Sequence, residues 1–127
     1  MGLPLPILVV DDDKSIRIAI CQYLRDIGYD VDGTPSLLDA VALIHARRYE
    51  LVITDLRFGR ANPEGGLELL RHVRQRLPGT PIILVTAYRS YLSDAQIEAL
   101  DVEAVLTKPV PLAELAQVMV RLLGRQS

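Results

Sequence analysis

Two apolar patterns alternate along the chain. Continuous runs rich in Val, Ile and Leu occur at Ile7-Leu8-Val9-Val10, Leu51-Val52-Ile53-Thr54, Pro81 to Val85 and Ala104 to Leu106, with a weaker one over 29–33. Between them, apolar residues return every three or four positions, the period of a helix with one buried face. Ile16, Ile20, Leu24 and Ile27 mark a helix over 14–27, and Leu37, Val41 and Ile44 mark a second. Leu67, Leu70, Val73 and Leu77 mark a third, and Leu112, Leu115, Met119 and Leu122 mark the last, which starts near Pro111. A short, polar helix before it begins at Ser93, with Gln96 at capping-box spacing, and runs to about Leu100. Asp13 caps the first helix and Ser36 precedes the second; Gly28 ends the first and Pro78-Gly79 breaks the third.

Five strand-helix units of this kind predict an α/β fold. Strands apolar at every position are buried on both faces, which requires a parallel sheet with helices above and below it. Right-handed crossovers make the arrangement doubly wound, a three-layer sandwich of five parallel strands and five helices. Ligands bind such sheets at the carboxyl ends of the strands, near the switch in strand order.

Composition limits the function classes. The 127 residues make one ordinary domain, which can remove roughly two thirds of its surface from water. The net charge of −2 argues against direct nucleic-acid contact. With a single cysteine, Cys21, no internal disulfide and no Cys-based zinc site can form, and a reduced, cytoplasmic setting is expected. Cys21 reads as a small buried apolar residue. The two histidines, His45 and His72, stand 27 positions apart with no ligand spacing around them. No apolar run is long enough to span a membrane and the first residues do not form a signal peptide. Arg71, Arg74 and Arg76 read as a solvated helix face. The chain reads as one domain over 1–127, with 124–127 as the start of a linker.

The distribution of charge is more informative than its sum. Ten of the 16 acidic residues are Asp, and only two of the 14 basic residues are Lys, at 14 and 108. The polar residues that close four of the apolar runs are Asp11-Asp12-Asp13, Asp55, Thr86 and Lys108, which the fold brings to one edge of the sheet. Charges directly beyond buried runs are costly unless they compensate one another or bind an ion. The set suits phosphoryl transfer onto a carboxylate. Asp55 is the nucleophile, Asp11 and Asp12 hold a hard cation such as Mg²⁺, and Lys108 and the Thr86 hydroxyl meet phosphoryl oxygens. Each residue alone also has a simpler reading: Asp55 as a turn starter, the aspartates at 11–13 as a helix N-terminus, Thr86 as a strand-end hydroxyl, and Lys108 as a surface charge.

The ordered set resembles the receiver domain of two-component response regulators, the chemotaxis-regulator-like family, over nearly the whole chain. Ile7-Leu8-Val9-Val10-Asp11-Asp12-Asp13 is similar to its first strand and acidic pair, and Leu51-Val52-Ile53-Thr54-Asp55-Leu56-Arg57 to its phosphoacceptor segment. Ile82-Ile83-Leu84-Val85-Thr86-Ala87 is similar to its hydroxyl strand, and Leu106-Thr107-Lys108-Pro109 to its lysine motif. The resemblance implies a flavodoxin-like sheet of order 2-1-3-4-5. It implies Asp55 as phosphoacceptor and Mg²⁺ held by Asp11, Asp12, Asp55 and the backbone carbonyl of Arg57. The donor would be a sensor histidine kinase or a phosphotransfer protein, and the output a conformational switch read by a partner protein or an output domain, with a homodimer among the states such domains use. Such a domain is not a metabolic enzyme; it has at most self-phosphorylation and self-dephosphorylation activity.

Three positions depart from the family pattern. Phe58-Gly59 stand where an apolar residue and proline are usual, and the loop over 56–66 is about three residues longer. Val105 occupies the position of the switch aromatic, for which Tyr88 is a candidate substitute. Asp101 replaces a common glycine at a helix end, a place Asp tolerates because it can adopt the left-handed conformation. The face carrying Tyr91, Leu92, Ile97 and Val105 is the expected output surface. The alternatives are a receiver-like interaction module that is never phosphorylated, and a haloacid-dehalogenase-like phosphohydrolase, whose second acidic metal motif has no aspartate to supply it after Lys108.

Overall fold

A computed structural model of the chain describes residues 5–58, 65–87 and 89–124. Five strands, β1 (Ile7–Val10), β2 (Val31–Thr34), β3 (Leu51–Thr54), β4 (Ile82–Thr86) and β5 (Ala104–Thr107), form one parallel sheet in the order β2-β1-β3-β4-β5. The helices are α1 (Lys14–Asp26), α2 (Leu37–Ala46), α3 (Gly65–Arg76), α4 (Asp94–Leu100) and α5 (Leu112–Leu123). A single 3-10 turn, Arg89–Tyr91, precedes α4.

The alternation of side chains along each strand divides the interior into two layers. Ile7 and Val9 of β1, Leu51 and Ile53 of β3, and Ile83 and Val85 of β4 face α1 and α5, where they meet Ile20, Cys21, Leu24, Leu115, Val118 and Met119. Leu8, Val10, Val52 and Ile82 point the other way, onto Ala40 and Ile44 of α2 and Leu69, Leu70 and Val73 of α3. The central strands are buried along their whole length, as continuous apolar runs require. Burying one such side chain contributes roughly 1.5–3 kcal/mol relative to leaving it exposed.

The helix ends follow local chemistry. Asp13 accepts from the Ile16 amide at 3.1 Å and Ser36 from the Asp39 amide at 3.1 Å. Ser93 and Gln96 exchange both bonds of a capping box. Gly28 turns the chain out of α1 at a φ of 108°, where a β-carbon would be strained. Asp101 ends α4 in the left-handed conformation, at φ 53° and ψ 46°. Boundaries differ from the sequence expectation by a residue or two. β2 runs over Val31–Thr34 rather than 29–33, β5 extends to Thr107, and α3 ends at Arg76, one residue before Leu77.

One surface expectation is corrected. Arg71 and Arg76 are exposed, but Arg74 donates to the Asp101 carbonyl and lies 3.9 Å from Glu103. Its guanidinium ties α3 to the turn between α4 and β5. Helical spacing alone could not place that turn beside it.

Candidate functional site

The sheet register puts the key carboxylates side by side. Val10 pairs with Thr54, so Asp11 and Asp55 leave adjacent strands at the same level. The Asp55 amide bonds the Val10 carbonyl at 3.2 Å, and the Lys108 amide bonds the Thr86 carbonyl at 3.0 Å. Four segments distant in sequence thus close at one edge of the sheet.

Asp11 is 3% exposed and Asp55 6%, a burial that carboxylates tolerate only with partners. Lys108 supplies one to both: its Nζ donates to Asp11 Oδ2 at 2.7 Å and to Asp55 Oδ2 at 2.7 Å. Main-chain amides satisfy the other oxygens. Asp11 Oδ1 accepts from the Asp13 amide at 2.9 Å, and Asp55 Oδ1 from the Leu56 amide at 2.6 Å and more weakly from the Arg57 amide at 3.4 Å. Burial holds the Asp11 carboxyl above its ordinary pKa, despite the opposing pull of Lys108 and the Asp13 amide. Burial works in the opposite sense on Lys108, but its hydrogen bonds to Asp11 and Asp55 outweigh it and leave the ammonium more firmly protonated than usual. Two buried carboxylates against one ammonium leave a formal −1, and the exposed Asp12 adds a further negative charge next to Asp11. Hard oxygen donors with excess negative charge fit a divalent cation of the Mg²⁺ kind.

Thr86 is fully buried at the end of β4. Arg57 and Phe58 are half-buried beyond β3, with Phe58 packed against the α2–α3 layer. Val105 is half-buried in β5, where it pairs with Leu84. Tyr91 is 79% exposed, whereas Leu92 and Ile97 are half-buried. Gly59 and Tyr88 lie outside the described residues, as does most of the long loop. The Lys108–Pro109 peptide bond is cis.

Two residues at this edge escaped the sequence reading. Arg17, on the first turns of α1, donates from its guanidinium to the Asp11 carbonyl at 2.9 Å and so fastens the turn that carries the acidic residues. Gly66 packs its backbone directly on the phosphoacceptor-like segment, with its amide on the Leu56 carbonyl at 2.9 Å. The paired glycines ahead of an apolar helix pattern were the available signal for the second; a lone arginine offered none for the first.

Sheet order, register and a lysine shared by two buried aspartates define a doubly wound α/β domain with a charged site at the carboxyl edge of its sheet. Residues 7–120 match the family model of the response regulator receiver domain, and the chain belongs to that family. It is the receiver domain of a two-component response regulator, a regulatory domain rather than a classical enzyme, and the hydrolase alternative falls away. Among curated proteins it is 35% identical over 115 residues to the response regulator protein PilR of Pseudomonas aeruginosa, covering 88% of this chain and 24% of that one. Across several such relatives the chain spans 24% to 53% of their length. Among solved structures, the receiver domain protein of Methanospirillum hungatei is 27% identical at a TM-score of 0.81, covering 96% of each chain. The response regulator TrrA of Thermotoga maritima, solved in complex with Mg²⁺-BeF, is 30% identical at a TM-score of 0.77, covering 93% of this chain and 98% of that one. No helix among the described residues is long and apolar enough to cross a membrane.

Proposed function

We propose that Asp55 accepts a phosphoryl group from a phosphohistidine on a sensor histidine kinase or phosphotransfer protein, in a Mg²⁺-dependent reaction. The observation that carries this reading is the Lys108 ammonium held 2.7 Å from both Asp11 and Asp55 at the end of a buried sheet. An Asp55 carboxylate oxygen attacks phosphorus; the new O–P bond forms as the P–N bond to the donor imidazole breaks, and that imidazole takes up a proton. Lys108 exchanges a carboxylate partner for a phosphoryl oxygen, and the Thr86 hydroxyl donates to another. Asp11, Asp12, Asp55 and the Arg57 carbonyl would hold Mg²⁺. When bound, the ion offsets the repulsion between the incoming phosphate and the carboxylates. That TrrA was solved with Mg²⁺-BeF supports a Mg²⁺-dependent reading.

The phosphorylated form shifts a two-state equilibrium that a partner protein or an output domain reads in the cytoplasm. With valine at 105, the surface around Tyr91 reports the change without the usual buried aromatic.

Mass spectrometry after incubation with Mg²⁺ and acetyl phosphate tests the core of this reading. A single added phosphate that is absent in Asp55→Asn is the expected result. Absence of any adduct, with acetyl phosphate and with a phosphorylated kinase alike, would leave the unphosphorylated interaction module as the better description.

A further inference from the structure

Away from the phosphoacceptor edge, the chain's two histidines meet across α2 and α3. His45 Nε2 and His72 Nδ1 are 3.4 Å apart, with ring centroids 5.5 Å apart and planes at 67°. Both rings ride on anchored backbone: His45 follows the buried Ile44 at the end of α2, and His72 precedes the buried Val73 in α3. His45 is exposed and His72 half-buried, so the gap between them is open to solvent.

As a hydrogen bond, 3.4 Å is long, since donors and acceptors of this kind usually approach to about 2.7–3.2 Å. As a pair of metal ligands, the spacing is apt. Two imidazole nitrogens bound at about 2.0–2.1 Å and subtending a tetrahedral angle stand about 3.3 Å apart. Nitrogen donors select Zn²⁺, Ni²⁺ and Cu²⁺, whereas carboxylates and carbonyls suit Mg²⁺. Glu68, one helical turn before His72, lines with Leu37, Leu38 and Val41 a depression that reaches His72. It offers a carboxylate to accept from metal-bound water or a ring N–H. Among the described residues, no third His, Cys, Asp or Glu joins the pair in a metal-binding group, so the pair would supply two protein donors and leave the other positions to water.

We propose that His45 and His72 form a two-imidazole chelate for a divalent transition-metal ion of the Zn²⁺, Ni²⁺ or Cu²⁺ kind, separate from the carboxylate edge.

The test titrates untagged protein, in excess Mg²⁺, with Ni²⁺ by calorimetry, alongside His45→Gln, His72→Gln and the double variant. His45 is exposed and His72 half-buried, and circular dichroism checks that each variant folds. One Ni²⁺ per chain is expected, with affinity weakened by more than about tenfold in either single variant and acetyl-phosphate labelling of Asp55 unchanged. Electron paramagnetic resonance of the Cu²⁺-loaded protein should show coupling to two imidazole nitrogens. Absence of Ni²⁺ binding, equal affinity in the double variant, loss of binding on Asp55→Asn, or coupling to a single imidazole would overturn the proposal.

Discussion

Gly66 and Leu56 are in direct backbone contact. The Gly66 amide donates to the Leu56 carbonyl at 2.9 Å, and a β-carbon on Gly66 would come within 2.7 Å of Leu56 Cα and 2.8 Å of its carbonyl oxygen. The start of α3 therefore rests on the residue that follows Asp55.

Gly66→Ala should consequently disturb both stability and the site. The atoms in the way are main chain and cannot rotate aside, so the cost is that of overpacking, about 2 kcal/mol. Urea denaturation should show the loss. Labelling of Asp55 by acetyl phosphate should slow, because the displaced segment carries the proposed acceptor. An alanine variant with wild-type stability and labelling would show that α3 can shift freely.

Lys108→Met leaves two buried carboxylates with no cation between them. Breaking a buried ion pair in this way costs about 3–5 kcal/mol. Without divalent cations, the penalty should shrink as pH falls and the Asp11 carboxyl, whose pKa burial already raises, takes up a proton. In the wild type, Lys108 has a raised folded-state pKa, so its contribution is full below about 10.5 and is lost as pH rises through the raised value. Denaturant midpoints of both proteins across acid, neutral and alkaline pH check both limbs.

Asp11→Asn carries the opposite sign. The Asp11 carboxyl is held above its ordinary 3.8 by burial, so the fold favours the neutral form. That preference stabilises the protein fully below 3.8 and is lost as pH rises through the raised value. In buffer free of divalent cations, Asp11→Asn should therefore gain stability relative to wild type as pH rises from acid toward neutral. A gap that closes over that range would contradict the assignment.

Asp101→Gly should stabilise by about 0.5 kcal/mol. Asp101 holds a φ of 53°, which costs a side-chain-bearing residue and not glycine. Its carbonyl, which accepts from Arg74, is retained in glycine. A thermal melt raised by a degree or two is the expected reading.

The fold was largely legible in the sequence because its signals are local. Buried runs, helical spacing, the Asp13 and Ser36 caps and the Ser93–Gln96 box all depend on residues within a few positions of one another. The ends of β1, β3 and β4 were legible as well, since those apolar runs stop at polar residues. Arg17, Gly66 and Arg74 were not, because their roles depend on the packing of helices against segments remote in the chain.

By itself, then, the order of residues determined five strand-helix units, their caps, and a set of Asp, Thr and Lys side chains at strand ends. Only the tertiary structure decided that Lys108 bonds two aspartates 97 and 53 positions away, and that His45 meets His72 across 27 positions. Those distances are set by strand register and helix packing, which are properties of the assembled sheet and its layers rather than of any one stretch of chain.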